Sequence, residues 1–175
     1  MSLFSKQILS GSDPVHSVKN PEQSRKIAIP SPLNGRVKPL DSVPLKIFSQ
    51  RLLGEGIAIE PSGYQLFTPF DCKIDLLPAT GEQIRLRASN GLQLLIQLGI
   101  GTERLMGEGF KFHVKEGDLV RKGEHILDFD LRKMKAQLDS ILCPVTVLNS
   151  QKIKGIEPNF RQVLALEDHI FYLHL

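Results

Sequence analysis

Gly91-Leu-Gln-Leu-Leu-Ile-Gln-Leu-Gly-Ile-Gly-Thr102 is the stretch on which the fold of this chain turns. Leu92, Leu94, Leu95, Ile96, Leu98 and Ile100 make a short apolar run bounded by glycines, which suits a buried strand better than a surface helix. Gln97 interrupts that run. A polar side chain in such a strand must find a hydrogen-bond partner or reach a wet surface, so it marks either a satisfied core amide or the floor of a shallow site. On pattern alone the structural reading leads, since a lone amide carries no chemistry.

Upstream, Ile84, Leu86 and Ala88 alternate with Gln83, Arg85 and Arg87, and Ser89-Asn-Gly91 is a turn. The pattern predicts a hairpin that sets the strand Glu82 to Ala88 beside the strand carrying Gln97. The same strand-and-turn rhythm extends outward. Ile27-Ala-Ile29, Ile57-Ala-Ile59, Tyr64 to Thr68, Pro69 to Leu77 and Phe110 to Lys115 read as short strands cut by Pro, Gly and Asn-Gly turns. Helical spacing of Leu131, Met134, Leu138 and Ile141 predicts one helix over Leu131 to Leu142, and Val43 to Leu53 suits one or two helical turns. Ile141 to Leu148 and Phe160 to Leu175 supply closing strands. With no helix-strand-helix rhythm, the expected fold is all-β: an antiparallel sandwich or barrel with one or two short helices. Pro32-Leu-Asn-Gly-Arg-Val37 echoes Pro69-Phe-Asp-Cys-Lys-Ile74, which suggests a duplicated strand motif.

Residues 1–25 are polar and serine-rich, too poor in apolar side chains to offset the entropy of ordering, and are expected to form a flexible arm. Residues 26–175 are expected to form one domain. Leu3, Phe4 and Ile8 make a weak amphipathic signal in the arm, but one or two turns of isolated helix are marginal in water, so a frayed terminus is preferred to membrane contact. Charged residues make up 23% of the chain and the net charge is only +3, and no aromatic-rich basic stripe accompanies it. Nucleic acid is not an expected partner. Cys72 and Cys143 lie far apart within apolar stretches and read as small buried hydrophobes, which fits a reducing cytoplasm.

The five histidines, His16, His113, His125, His169 and His174, show no metal-ligand spacing, so no metal is expected. Gly54-Glu-Gly56 and Gly107-Glu-Gly109 lack the context of a phosphate loop and read as tight turns. Lys133-Met-Lys135 resembles a biotin-carrying lysine motif only superficially, because it falls in the expected helix. Neither paired catalytic carboxylates nor a Gly-x-Ser-x-Gly stands out, and no cofactor is expected.

Ser31-Pro-Leu-Asn-Gly35, Gly54-Glu-Gly-Ile-Ala-Ile59, Pro69-Phe-Asp71, Gly91 to Thr102, Leu105-Met-Gly-Glu-Gly-Phe110, Glu116-Gly-Asp118 and Phe129-Asp130 nevertheless occur in one register. Together, over roughly Ile27 to Val147, they resemble the glucose-type enzyme IIA of the bacterial phosphotransferase system. The resemblance implies a compact β-sandwich, built on a duplicated hybrid motif, that passes a phosphoryl group from HPr to a sugar permease. It also implies which residues would act. Where the family has its acceptor histidine, in His-hydrophobic-Gly-Ile-Asp-Thr, this chain reads Gln97-Leu-Gly-Ile-Gly-Thr102. The second active-site histidine, two positions after a threonine, corresponds to Glu82 in Thr80-Gly-Glu82, and the motif aspartate to Gly101.

Those departures point to a cytoplasmic paralogue that does not accept phosphate, with no catalytic residues. Its binding site would comprise Gln97, Glu82, Thr80, Gly101 and Thr102, and its partners would be HPr, a permease IIB domain or another regulated protein. An active phosphocarrier is the rival expectation. A sandwich that binds a small polar ligand through Gln97 and Glu82 is the third.

Overall fold

The computed structural model describes residues 25–175, so the expected arm lies almost wholly outside the described residues. In chain order the strands are β1 (Lys26–Pro30), β2 (Gly35–Pro39), β3 (Glu55–Pro61), β4 (Gln65–Phe67), β5 (Cys72–Leu76), β6 (Ile84–Ala88) and β7 (Gln93–Ile96). The remainder are β8 (Phe110–Phe112), β9 (Leu119–Val120), β10 (His125–Phe129), β11 (Cys143–Val147), β12 (Gly155–Pro158), β13 (Gln162–Val163) and β14 (His169–His174). Two short α-helices, α1 (Lys46–Ser49) and α2 (Leu131–Gln137), interrupt them.

The strands form an eight-stranded sheet in the order β13-β2-β3-β11-β7-β6-β5-β9 and two three-stranded sheets, β1-β14-β12 and β4-β10-β8. Every pairing is antiparallel. One core fills the space between the sheets: Ile57, Ile59, Leu94, Ile96, Val145 and Ile84 from the large sheet meet Phe171 and Leu173 of β14 and Leu127 of β10. Alternation sends Ala58 and Leu95 to the opposite face. There they are covered by Leu40, Val43, Ile100 and Phe48, the last from α1. Strands covered on both faces must be apolar at every position, which is why the run around Leu94 to Ile96 is continuous rather than alternating.

The sequence echo is a structural duplication. Ser31 N donates to Asp168 O, and Ser31 O accepts from Leu166 N; Thr68 N likewise donates to Glu124 O, and Thr68 O accepts from Gly123 N. Three residues on, Asn34 Oδ1 accepts from Ala165 N and Asp71 Oδ1 from Lys122 N, each at 2.7 Å. β2 and β5, which follow, share a buried-exposed-buried start and each pairs with a two-residue edge strand, β13 or β9. The two halves of the large sheet therefore repeat one design from its edges inward.

The expected extent of the second helix needs correction. α2 ends at Gln137 rather than Leu142, because Ile100 N donates to Ser140 O at 2.8 Å and Asp139 N to Ile100 O at 3.2 Å. That bridge requires extended backbone where the helical spacing would continue. β11 forms within the expected stretch Ile141 to Leu148 and lies centrally in the large sheet, between β3 and β7.

Candidate functional site

The hairpin β6–β7 forms in the register Ile84↔Ile96, Leu86↔Leu94. β7, however, stops at Ile96. Gln97 N donates to Pro144 O at 3.0 Å, as in a hydrogen-bonded antiparallel pair, but the return bond would need the N–H that proline lacks. The ladder ends there, and the chain leaves the sheet through Gly99 and Gly101, both left-handed, with φ of 77° and 84°. Gln97 is therefore the last residue held by the sheet before a turn.

Its side chain is 3% exposed, and its Nε2 donates to Gly99 O at 3.2 Å. Thr102, fully buried, donates its hydroxyl to Leu98 O and clamps the turn from the other side. Thr80, Gly81 and Glu82 run alongside, since Leu98 N donates to Gly81 O at 3.3 Å. Gly81 is left-handed, and a Cβ there would press on the Phe110 ring, 2.9 Å away. Thr80 and Glu82 are half-buried. Backbone hydrogen bonds thus gather the segments bearing Thr80, Glu82, Gln97, Gly101 and Thr102 around Leu98.

Sequence reading missed several neighbours. Gln83, with an unusual φ of 45°, accepts from Arg85 Nη2 at 3.2 Å, while the buried Arg85 Nε has no hydrogen-bond partner. Arg104 crosses Gly101 to pair with Asp139. α1 lies over this part of the sheet, because Phe48 shares a cluster with Leu95 and Ile100. Leu52, just past α1, is 69% exposed, and Met106, following the turn, is 87% exposed.

A second polar cluster lies in the small sheet. His113 Nε2 is 2.9 Å from Asp128 Oδ2 and His125 Nε2 is 2.8 Å from Asp128 Oδ1. The His113 hydrogen bond, opposed by partial burial and aided by the charge of His125, holds the Asp128 carboxyl below its ordinary range. These histidines are twelve residues apart, and only strand pairing joins them.

A family model described as "phosphoenolpyruvate-dependent sugar phosphotransferase system, EIIA 1" matches residues 27–153. The chain is 31% identical over 135 residues to the glucose-specific EIIA component of the PTS system of Oceanobacillus iheyensis, which covers 77% of this chain and 82% of that protein. Among solved structures it is similar to the glucose permease IIA from Mycoplasma capricolum, with a TM-score of 0.76 and 23% identity over 85% of this chain and 96% of that one. At that identity the structural likeness establishes the fold.

Proposed function

Given that the chain belongs to the EIIA type-1 family of the phosphoenolpyruvate-dependent sugar phosphotransferase system, we propose that it is a member that does not carry phosphate and acts by binding proteins. The observation that carries this reading is Gln97. The sequence resemblance aligns it with the family's acceptor, and in the structure it is a buried amide already donating to Gly99 O. An imidazole nitrogen offers phosphorus a localised lone pair, whereas the amide nitrogen is delocalised into its carbonyl and is a poor nucleophile.

Glu82 supports the same reading. A carboxylate in the register of the second histidine opposes an incoming phosphoryl group; two unit charges about 4 Å apart interact by roughly 4 kcal/mol at an effective dielectric of about 20. Leu52 and Met106 expose apolar surface just past α1 and just past the Thr102 turn, which supports a reading as a protein-binding module. HPr and a permease IIB domain are the partners this reading names first, in the cytoplasm.

The test is incubation of the whole chain with phosphoenolpyruvate, enzyme I and HPr, read by intact-mass spectrometry, beside a titration with HPr or a IIB domain. An unshifted mass with measurable partner binding is expected. Stoichiometric phosphate on any residue would make the protein a working phosphocarrier.

A further inference from the structure

We propose that His113, His125 and Asp128 form a binding site for a divalent transition-metal ion of the zinc class, separate from the Gln97 segment and from phosphoryl chemistry. Along a regular strand, residues three apart point to opposite faces, so His125 and Asp128 should diverge. They do not. Against β4, His125 is opposite Phe67 and Leu127 opposite Leu66, leaving Ile126 as an extra residue. A bulge of this kind re-aims a side chain, and here it brings His125 round to the side of Asp128. His113, just past β8, is brought alongside by donation of its backbone N–H to Ile126 O at 2.8 Å.

The two imidazoles stack with centroids 4.1 Å apart, and one ligand atom from each of the three residues lies within 4.8 Å of the others. The two contacts to Asp128 differ in geometry. His113 and Asp128 are in hydrogen-bond alignment, but His125 Nε2 and Asp128 Oδ1 are not, despite their 2.8 Å separation. Both atoms are shielded from solvent without a hydrogen-bond partner. Shielded from water and aimed at one another, the two atoms can each lend a lone pair to one shared cation when His125 Nε2 carries no proton.

The donor set selects the ion. Two imidazoles and one carboxylate suit zinc and its neighbours, whereas magnesium and calcium require oxygen ligands. Zinc bonds of about 2.1 Å put adjacent tetrahedral ligands about 3.4 Å apart, so the cluster must open by about half an ångström. His113 is the exposed member, and His125 and Asp128, themselves 2.8 Å apart, must also part by rotation of their side chains. Three protein ligands leave a fourth position for water or an incoming group.

Full-length protein stripped with chelator should take up one zinc ion per chain when titrated with zinc chloride against a chromophoric chelator, and its melting temperature should rise. Cobalt should give the intense visible absorption of a four-coordinate site. His113→Ala and Asp128→Asn should each weaken binding by about tenfold or more, while His16→Ala and His174→Ala leave it unchanged. Magnesium in excess should not compete. His113→Gln, at an exposed position, serves as the folding control. Failure to take up zinc, or undiminished uptake by His113→Gln with a parent-like melt, overturns the proposal.

Discussion

The guanidinium of Arg104 occupies the space into which a side chain on Gly101 would grow, and its Nε donates to Gly101 O at 3.4 Å. The space beside Gly101 is thus held by a neighbouring cation, which pairs with Asp139. Gly101→Ala should lower stability by about 1–2 kcal/mol, from the left-handed backbone alone, with a further cost for displacing Arg104. Urea unfolding of Gly101→Ala and of Gly101→Ala with Arg104→Ala separates the two. The double variant should recover the steric part and keep the backbone part. A Gly101→Ala variant as stable as its parent would contradict the geometry.

The cysteines behave as buried hydrophobes. Cys143 is fully enclosed, and burial pushes both thiols up to about 12 from the ordinary 9.0. Since the thiolate is the nucleophile, native protein at neutral pH should react with iodoacetamide far more slowly than urea-unfolded protein, by about two orders of magnitude or more. The sign for stability follows from linkage. A thiol whose folded pKa is raised binds its proton more tightly in the native state, so its contribution is complete below pH 9 and declines as pH rises towards 12. Cys143→Ala should therefore flatten the alkaline loss of stability. Rapid labelling of the folded protein would show that Cys143 is not enclosed.

Local pattern made β6, the hairpin and the apolar core legible, because alternation and glycine turns act within a few residues. The register of Gln97, Glu82 and Gly101 is proposed from the resemblance alone. What stayed hidden depended on contacts distant in sequence. Pro144 ends the β7 ladder at Gln97, Ser140 cuts α2 short by pairing with Ile100, and the bulge at Ile126 joins His113 to His125. Spacing rules for metal ligands count along the chain, and a site assembled across paired strands escapes them.

Asn34 and Asp71 offer a test of the duplication. Each side-chain oxygen holds a returning loop by one backbone N–H, from Ala165 and from Lys122, near opposite edges of the large sheet. Asn34→Ala and Asp71→Ala should each cost about 1 kcal/mol, with the charged Asp71 bond the stronger. Their effects should add in the double variant, since the sites share no partners. Denaturant midpoints with unchanged slopes would confirm it. Marked non-additivity would mean that the two loops are coupled through the core.

Reversal of the acceptor register is the sharpest functional test. Gln97→His supplies a localised lone pair where the amide has none, and Glu82→His removes an opposing carboxylate while adding a donor for phosphoryl oxygens. Both changes are required, because a lone histidine at 97 would leave the carboxylate of the neighbouring segment in place, and a lone histidine at 82 would leave the inert amide. Adding Gly101→Asp should increase the transfer rate only when Arg104→Ala clears the space, for the guanidinium otherwise meets the new side chain at its first carbon. The measurement is phosphate incorporation from HPr into the double, triple and quadruple variants, each checked for a parent-like melt. Partial labelling of the double variant and faster labelling of the quadruple variant are expected. If folded variants stay unlabelled while the parent binds HPr, the site has lost more than its histidines. If the parent also fails to bind HPr, the recognition surface has diverged with it, and the family scaffold serves a different partner.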